Sequence, residues 1–386
     1  MNALANIAAS VSTASLDYSV FKKAMVNACK VVEKKNTIPV LNTVLITSNR
    51  KGVNVIGTDM DVYSTTLVAG KADSDFLAIV DAHKLKGIMD KVKDAANINF
   101  TLDGDSLAVS IGKLKLTLKQ EHERSDFPED AAFRTALGKS NVSFMVPAAT
   151  LLKAMSKIQL AISTEETRYY LNGVFMHLAH DNRLAFVATD GHRLARFEIP
   201  APAGAEAIEN GMIIPRKTVG ELLRLLKRKD CPIDIMVSVT DSGVSFLIGE
   251  DELLESKVVD GTFPNYLRVI PTQNQHKVPV RTAAFIDALK QASSISAEKS
   301  RSSKLTLAPG EIAITCYDPD FGHASTEITV DHDVTLEIGF NAGYLLEILA
   351  QLDGGAMLEL GGPGDPAIVK DGADDDVTYV MMPMRV

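Results

Sequence analysis

Cysteine and long apolar runs are scarce in this sequence, and each scarcity excludes a class of protein. The 386 residues include only three cysteines, Cys29, Cys231 and Cys316, which lie far apart in the chain. An odd and scattered set predicts neither a disulfide framework nor a zinc site, so a reducing cytoplasm is expected. No apolar run approaches the roughly 20 residues that a membrane helix needs. The first residues lack the basic and apolar regions of a signal peptide, and we interpret them as a short extension.

Motifs of catalysis and of phosphate binding are also missing. The stretch VATDGHRLA (187–195) brings an aspartate, a histidine and an arginine together in the manner of a catalytic site. However, the chain has no G-x-S-x-G elbow for a nucleophilic serine and no G-x-x-x-x-G-K-[ST] phosphate loop. The histidines show no metal-ligand spacing. We therefore expect no catalytic residue, no metal and no cofactor, and we interpret Asp190 as a turn former that bonds backbone N–H groups.

The chain repeats itself about every 130 residues, which predicts three similar domains. A Thr-Asp pair follows a strand-like run at Asp59 and again at Asp190, and a fainter copy places Asp318 in the same setting. Phe-Pro pairs at Phe127 and Phe263 follow a similar period. The expected organisation is an N-terminal extension over 1–15 and three domains over 16–139, 140–276 and 277–386.

Each repeat contains two stretches with helical periodicity, separated by stretches in which apolar and polar residues alternate. The six helical stretches are 18–34, 82–93, 147–162, 215–229, 282–296 and 341–352. The alternating stretches include VNVIGTD and DIMVSVTDSGVSFLIG, and short turn signals such as TDSG favour antiparallel hairpins over crossover units. The predicted fold class is therefore α+β, with two helices and antiparallel sheets in each of three domains.

The positive charge is concentrated in the helical stretches. The net charge of −9 argues by itself against a nucleic-acid partner. Counted with their flanking residues, however, five of the six helical stretches are net positive, namely 17–35, 82–93, 147–168, 215–229 and 281–301. Polar and basic residues also share a helix face, at Lys23, Asn27, Lys30 and Lys34 and at Lys217, Glu221, Arg224 and Arg228. A solvated face is the ordinary explanation for one such helix, whereas five basic helices in an acidic chain favour a surface that faces a polyanion. Lysines with few aromatics suit phosphate contacts that do not depend on base sequence.

Four motifs resemble the bacterial DNA polymerase sliding clamp, the beta subunit of the replicative polymerase. They are RYYLNG (168–173), VATDGHRLA (187–195), FPNYLRVIP (263–271) and YVMMPMRV (379–386). The resemblance covers nearly the whole chain after the extension. It implies three DNA-clamp domains per chain and a head-to-tail homodimer that closes into a ring of six domains, with helices facing the hole. The chain departs from the family at its N-terminal extension, at its C-terminal valine and at the acidic loop STEET before Arg168, and we expect a solvated hairpin in the acidic stretch 361–376.

The resemblance also implies which residues bind partners. A pocket for short linear peptides is expected between the second and third domains. Its residues are Tyr170, Leu171, Thr189, Gly191, His192, Arg193, Leu194, Pro264, Arg268, Val269, Asn341, Tyr344, Val380, Met382, Pro383, Met384 and Arg385. The residues expected to face DNA are Lys34, Lys35, Arg168, Lys217, Lys299 and Arg301. The residues expected at the dimer interface are Leu116, Leu118 and Ile295.

The expected function is that of a DNA sliding clamp, which encircles duplex DNA and tethers the replicative polymerase for processive synthesis. The expected partners are duplex DNA, a second copy of the chain, the catalytic subunit of DNA polymerase III, the clamp loader, repair polymerases and mismatch-repair proteins, but no membrane. The expected location is the cytoplasm, in association with the nucleoid. Two alternatives stay open: a hydrolase or transferase built on duplicated domains, and a repeat scaffold that binds only proteins. The missing nucleophile and phosphate motifs argue against the first, and the basic helices argue against the second.

Overall fold

The computed structural model describes residues 11–49, 51–73, 76–120, 122–128, 132–140, 142–208, 210–295 and 302–386. Within these residues the chain forms seven α-helices: α1 Tyr18–Val31, α2 Ala82–Met89, α3 Ala132–Leu137, α4 Ala148–Ile158, α5 Arg216–Leu226, α6 Thr282–Ser293 and α7 Ala342–Leu349. Each of the six predicted helical stretches contains one of these helices, and α3 is the one that the sequence did not predict. None of the helices in the described residues has the length and apolar character needed to cross a membrane.

The strands account for most of the remaining ordered chain. In the first half they are β1 Ser12–Asp17, β2 Thr43–Asn49, β3 Gly52–Thr58, β4 Val62–Ala72, β5 Leu77–Asp81, β6 Asn97–Asp103, β7 Ser106–Ile111, β8 Leu114–Lys119, β9 Val142–Pro147, β10 Gly173–Ala179, β11 Arg183–Thr189 and β12 Arg193–Pro200. In the second half they are β13 Met212–Pro215, β14 Asp234–Thr240, β15 Gly243–Ile248, β16 Glu252–Lys257, β17 His276–Val280, β18 Ser302–Ala308, β19 Glu311–Asp318, β20 Gly322–Thr329, β21 Leu336–Asn341, β22 Ala356–Leu360, β23 Ala367–Asp371 and β24 Asp374–Met381. The strand pairs of all three sheets are antiparallel, so the α+β prediction with antiparallel sheets is confirmed.

The chain divides into two compact units that cut across the predicted middle domain. One unit holds the residues up to Ala149 together with Gly220–Val258, and the other holds Thr150–Val219 and Val259–Val386. The first unit contains one sheet with the order β8-β7-β6-β1-β4-β16-β15-β14-β9, to which β2, β3 and β5 are attached. The second unit contains a sheet β13-β10-β11-β12-β24-β23-β22-β17 and a smaller sheet β20-β19-β18-β21. The division arises because β4 pairs with β16 and β12 pairs with β24, so each sheet continues from one repeat into the next.

Three helices begin in the same way, as a repeated ancestor would predict. The carboxylate of Asp17 accepts a hydrogen bond from Val20 N at the start of α1, at 3.0 Å. Asp81 caps α2, and Asn341 caps α7 through Tyr344 N at 3.1 Å. Such caps satisfy backbone donors that the helix leaves unpaired, and each typically contributes about 1 kcal/mol.

The apolar face of α1 covers one side of the sheet in the first unit. In α1 the buried residues Phe21, Ala24, Met25 and Ala28 follow helical spacing and join the main core of the first unit. In this core the ring of Phe21 meets the ring of Phe100 edge to face at 5.2 Å. The other side of the sheets carries smaller apolar clusters, one in each unit, and the second of these forms the base of the site described next.

Candidate functional site

A cavity of about 150 Å³ lies in the second unit, and its wall is mainly apolar. Four parts of the chain contribute to it: the segment just before β10, the turn between β11 and β12, the segment that follows Phe263, and the end of β24 with the residue after it. The residues that line it are Leu171, Thr189, Gly191, Arg193, Leu194, Pro264, Asn265, Tyr266, Val269, Val380 and Met382. An apolar hollow with a few polar groups at its edge is the usual form of a ligand site.

The turn between β11 and β12 is held by Asp190, whose role is structural. Its Oδ1 accepts hydrogen bonds from His192 N at 2.9 Å and Arg193 N at 3.0 Å. Gly191 has a φ of 89°, in the region that favours glycine, and its N–H donates to Thr189 Oγ1 at 3.1 Å. The prediction that Asp190 forms a turn and bonds backbone N–H groups is confirmed.

The same turn occurs at the two other repeats. Oδ1 of Asp59 accepts from the N–H groups two and three residues further on, at 3.0 and 2.7 Å. Oδ1 of Asp318 does the same at 2.9 and 3.1 Å. The recurring aspartate therefore marks a repeated strand connection, as its period of about 130 residues predicted.

Arg193 lines the cavity but is already committed to partners within the chain. Its Nε lies 3.1 Å from Asp190 Oδ2, and one terminal nitrogen donates to Glu347 Oε2 at 2.7 Å. The guanidinium carbon lies 4.3 Å from the ring centroid of Tyr344, and His192 stacks on the same ring at 6.1 Å. Two carboxylates balance this buried cation, so its main effect is to hold Tyr344 in place beside the cavity.

A stack of rings that the sequence did not predict packs in the apolar cluster next to the cavity. The rings of Phe175 and Phe263 are nearly parallel at 4.9 Å, and Phe175 stacks on His177 at 4.7 Å. His177 Nδ1 lies 3.0 Å from Leu178 O, which can only accept, so Nε2 accepts the hydrogen bond from the Tyr266 hydroxyl at 3.0 Å. Burial lowers the pKa of His177 and raises the pKa of Tyr266, which keeps both groups neutral.

The C-terminal tail continues past β24 along the edge of the cavity. Met382 N donates to His192 O at 2.9 Å, and Met384 N donates to Gly339 O at 2.8 Å. Pro383, between them, has no N–H to donate. Met384 is 38% exposed and Val386 is 60% exposed, so the last apolar side chains of the tail are available on the surface.

The structure brings nine of the predicted pocket residues together around the cavity. They are Leu171, Thr189, Gly191, Arg193, Leu194, Pro264, Val269, Val380 and Met382. The other eight predicted residues do not line it. They are Tyr170, His192, Arg268, Asn341, Tyr344, Pro383, Met384 and Arg385. Among these, His192 and Tyr344 stack beside it, Asn341 caps α7, and Met384 pairs with Gly339. Asn265 and Tyr266 line the cavity and were missed, although both lie within the FPNYLRVIP motif.

The structure corrects part of the prediction that polar and basic residues of α1 and α5 form a solvent-facing polar stripe. Lys23 Nζ lies 2.6 Å from Asp230 Oδ2 and 3.0 Å from Glu252 Oε1, so two carboxylates balance the positive charge of this lysine. Asn27 is buried and accepts a hydrogen bond from Arg224 at 2.7 Å. Part of each predicted face is therefore occupied by bonds within the first unit, since Lys23, Asn27, Arg224 and Arg228 bond to each other or to acidic neighbours. Lys30, Lys34 and Lys217 are exposed.

The predicted DNA-facing residues differ in their surroundings. Lys34, Lys35 and Lys217 are exposed. Arg168 is also exposed, its Nε lies 3.2 Å from Glu165 Oε2, and its terminal nitrogen lies beside Gly191 at the turn that lines the cavity. Lys299 and Arg301 lie outside the described residues.

The predicted dimer residues lie at a sheet edge. Leu116 and Leu118 belong to β8, the outermost strand of the large sheet of the first unit. Both side chains are half-buried and pack against the core of that unit, whereas Lys115 and Lys119 are exposed on the other face. Ile295 is half-exposed just after α6.

The acidic stretch 361–376 contains the predicted hairpin, formed by β23 and β24, but its turn is not solvated throughout. Asp371 is 2% exposed and Asp374 is 6% exposed, and both lie near the buried ammonium of Lys157. The prediction is wrong for these two residues because a cation from a distant part of the chain makes their burial tolerable.

Comparison with known proteins identifies relatives over nearly the full length of the chain. Family models described as the N-terminal, central and C-terminal domains of the DNA polymerase III beta subunit match residues 15–129, 145–265 and 267–385. A beta sliding clamp of Caulobacter vibrioides is 37% identical over 96% of this chain and 99% of its own length, and one of Pseudomonas putida is 32% identical over 92% and 95%. The crystal structure of a sliding clamp from Bartonella birtlesii bound to griselimycin superposes with a TM-score of 0.91 at 35% identity, covering 98% of this chain and 100% of that one. A sliding clamp structure from Caulobacter crescentus has a TM-score of 0.89 at 35% identity, with coverage of 97% and 100%.

Proposed function

The chain belongs to the DNA polymerase III beta-subunit family, the bacterial sliding clamps, and on that premise we propose that its cavity holds the linear motifs of replication and repair proteins. Proteins of this family are processivity factors without catalytic activity, so the alternative of a duplicated-domain enzyme is excluded. The three clamp domains that the resemblance implied are those of the family, and the protein acts on DNA as a clamp.

The apolar cavity beside the exposed tail is the observation that carries the proposal. A volume of about 150 Å³ accommodates one benzene-sized apolar group. Leu171, Leu194 and Val380 supply apolar walls, and Met382 supplies a flexible one that adapts to different side chains. A leucine or phenylalanine at the end of a partner peptide fits these requirements.

The energetics suit a reversible attachment. Burying one such side chain contributes roughly 1.5–3 kcal/mol, and its loss corresponds to about a tenfold to hundredfold decrease in affinity. A moving polymerase needs an anchor of this kind, which can be exchanged for that of a repair protein without dismantling the clamp.

Deletion of Met382–Val386 tests the proposed site. We expect the truncated protein to lose binding of a fluorescein-labelled peptide taken from the C-terminal end of a polymerase III catalytic subunit, measured by fluorescence anisotropy. Deletion of Val386 alone is the matched control, because it leaves Met382 and the bond from Met384 to Gly339 in place. Light scattering on the same samples should give an unchanged mass. Equal peptide binding by the truncated and intact proteins would show that the cavity is not the attachment site.

Two sheet edges support the proposal that two copies close into a ring head to tail. β8 ends the sheet of the first unit and carries Lys115 and Lys119 on its exposed face, whereas β20 ends the small sheet of the second unit and exposes Glu327. Edge strands have unpaired backbone groups that favour addition of another strand, and opposite charges favour this pairing.

Charge reversal tests ring closure more cleanly than changes to Leu116 and Leu118, because these leucines also pack on the core. Lys115→Glu with Lys119→Glu should lower the dimer fraction in light scattering at low salt. Adding Glu327→Lys should restore part of it if the two edges meet. A dimer fraction that is the same in all three proteins would contradict the pairing.

Contact with DNA through Lys34, Lys35, Lys217 and Arg168 accounts for a clamp that slides. Contacts between lysine and phosphate are weak at physiological salt and do not depend on base sequence. A loaded clamp should therefore stay on closed circular DNA and leave the same molecule after linearisation, as measured by gel filtration of the loaded complex. Equal retention on both forms would contradict encirclement. A protein that encircles the chromosome would act in the cytoplasm at the nucleoid.

A further inference from the structure

Lys157, at the end of α4, has a buried ammonium group that contacts three acidic residues. The residue is 5% exposed. Its Nζ lies 2.7 Å from Asp353 Oδ2, 3.1 Å from Asp371 Oδ2 and 3.6 Å from Asp374 Oδ2. It also donates to the backbone oxygen of Gln351, just after α7, at 2.7 Å. One cation therefore joins α4, the end of α7 and the turn between β23 and β24.

The cluster is organised to keep its charges. Asp371 accepts further hydrogen bonds from the backbone N–H groups of Asp353, Gly354 and Ala373, at 2.7, 2.9 and 3.0 Å. Burial opposes ionisation of both Lys157 and Asp371. Hydrogen bonds to Asp353 and Asp371 outweigh it for Lys157 and raise its pKa, and the backbone N–H groups together with Lys157 outweigh it for Asp371 and lower its pKa. Three carboxylates this close together have the spacing of a cation site, and the ammonium supplies the positive charge.

Each segment that Lys157 joins leads to the cavity. Tyr344, near the start of α7, carries the guanidinium of Arg193. The hydroxyl of Tyr379 donates to the backbone oxygen of Lys157 at 3.1 Å, and the next residue, Val380, lines the cavity. After α4 the chain turns back, and Ser163 N donates to the backbone oxygen of Leu171, another lining residue, at 3.1 Å.

We propose that Lys157 is a positioning residue for the cavity: its ammonium sets the spacing between the end of α7, β24 and the segment that carries Leu171. This inference rests on the proposed function, because peptide binding is the property that the spacing controls. It differs from a purely stabilising role in one respect, since the cavity walls of the folded protein should move when the ammonium is removed.

Lys153 provides a matched control. It lies one turn earlier on α4, its Nζ is 2.9 Å from the same Asp374 Oδ2, and its side chain is 42% exposed. Within the part of the chain that the structure describes, it makes no bond to Gln351, Asp353 or Asp371. Lys153→Gln and Lys157→Gln therefore remove the same charge from the same helix, but only the second removes the link to α7.

Two measurements on the intact protein decide the question. Anisotropy with the polymerase-derived peptide should show about a tenfold weaker Kd for Lys157→Gln and less than a twofold change for Lys153→Gln. Methyl NMR on protein with ¹³C-labelled methionine, with the Met382 signal assigned from Met382→Leu, should show a shifted Met382 signal only in Lys157→Gln. A lower melting temperature with an unchanged Met382 signal and an unchanged Kd would overturn the proposal.

A second variant covers the case in which Lys157→Gln does not fold. The side chain of Asp353 is 65% exposed, so Asp353→Asn should fold. It should still weaken the contact between Lys157 and the chain at the end of α7. A shifted Met382 signal with a weaker Kd in Asp353→Asn supports the proposal, and no change in either overturns it. If the wild-type protein itself does not bind the peptide, the proposed function fails, and that result is separate from any difference between the variants.

Discussion

The turn at Asp59 in the first unit and the turn at Asp190 in the second are built alike, and a neighbouring strand flanks each in the same way. In the first unit β16 pairs with β4, and Lys257 N donates to Asp61 O at 2.8 Å. In the second unit β24 pairs with β12, and Met382 N donates to His192 O at 2.9 Å. The backbone arrangement around the two turns therefore corresponds residue for residue.

The side chains around the two turns differ. In the first unit Tyr63 stands opposite Glu255, and α3 covers both: the ring of Phe133 lies 5.7 Å from that of Tyr63, and Arg134 bonds to Glu255 at 2.8 Å. In the second unit the matching pair is Leu194 opposite Val380, and both line the cavity. We call the side chains around each turn a joint. The joint of the first unit, at Tyr63 and Glu255, is filled and charged, whereas the joint of the second unit, at Leu194 and Val380, is open and apolar.

The difference shows that the repeat supplies a backbone and that side-chain size and charge decide its use. The filled joint stabilises the first unit, because buried aromatic contacts are among the largest stabilising terms in a core. The open joint lacks that stabilisation and retains apolar surface that a partner can bury. Substitutions at matching positions should therefore change stability in one unit and affinity in the other.

Phe133→Ala should have the largest effect on stability. Phe133 is 4% exposed and packs in the cluster that contains Tyr63 and Leu137. Removing a buried phenylalanine typically costs about 3–5 kcal/mol of unfolding free energy. Urea denaturation of wild type and variant measures this loss. Peptide affinity at low urea should stay within twofold of wild type, and a large loss of affinity instead would show that the two joints do not have separate roles.

Leu194→Tyr should have the next largest effect, on affinity. It introduces in the open joint the tyrosine that the filled joint has at Tyr63, and the tyrosine ring should occupy the cavity. We expect the peptide Kd to rise at least tenfold, about 1.4 kcal/mol, with only a modest change in stability because overpacking in a site with free space is limited. Leu253→Tyr is the control, since it makes the same change on β16 away from the cavity. An unchanged Kd in Leu194→Tyr would mean that the peptide binds elsewhere.

The predictability of these features depends on how far apart in sequence the partners lie. Helices α1 and α2 start where the sequence predicted because their periodicity and their caps, Asp17 and Asp81, are local signals. The turns at Asp59 and Asp190 were predictable because the same short motif recurs. In contrast, Lys23 is neutralised by Asp230 and Glu252, which follow it by about two hundred residues, and no local pattern indicates that pairing.

The same distinction applies to the site. Most of the cavity-lining residues were predicted, because they lie in motifs that resemble those of the sliding clamps. Tyr266 and its partner His177 were missed because their contact depends on two separate strands and turns meeting in the fold. Helix α3 was missed because six residues are too few to establish a helical period. Burial of Asp371 could not be predicted from an acidic loop, since it depends on Lys157.

Met60→Gly should have a smaller effect, a gain in stability. Met60 has a φ of 79°, whereas the matching residue in the other turn is Gly191, with a φ of 89°. A non-glycine residue in this region costs about 1 kcal/mol or more, part of which the greater chain entropy of unfolded glycine offsets. We expect a gain of roughly 0.5–1 kcal/mol in urea denaturation. Gly191→Ala should lose stability instead, and equal signs for the two substitutions would contradict the correspondence of the turns.

The smallest expected effect is a dependence on pH at one position that titrates in the second unit but not at the matching place in the first. His177 stands opposite Ala185 in the sheet, and the residue in the matching place of the first unit is Thr47, which does not titrate. Because burial lowers the pKa of His177, the unfolded chain takes up a proton near pH 6.5 before the folded chain does. The contribution of neutral His177 to stability is therefore complete above that pH and is lost as pH falls towards the lower folded pKa. Protonation would also remove the acceptor for the Tyr266 hydroxyl, so peptide binding should weaken over the same range.

Melting temperatures and peptide Kd values between pH 7.5 and 5.5, compared between wild type and His177→Gln, isolate this contribution from that of the other histidines. Parallel pH profiles for the two proteins would show that His177 does not couple protonation to the site.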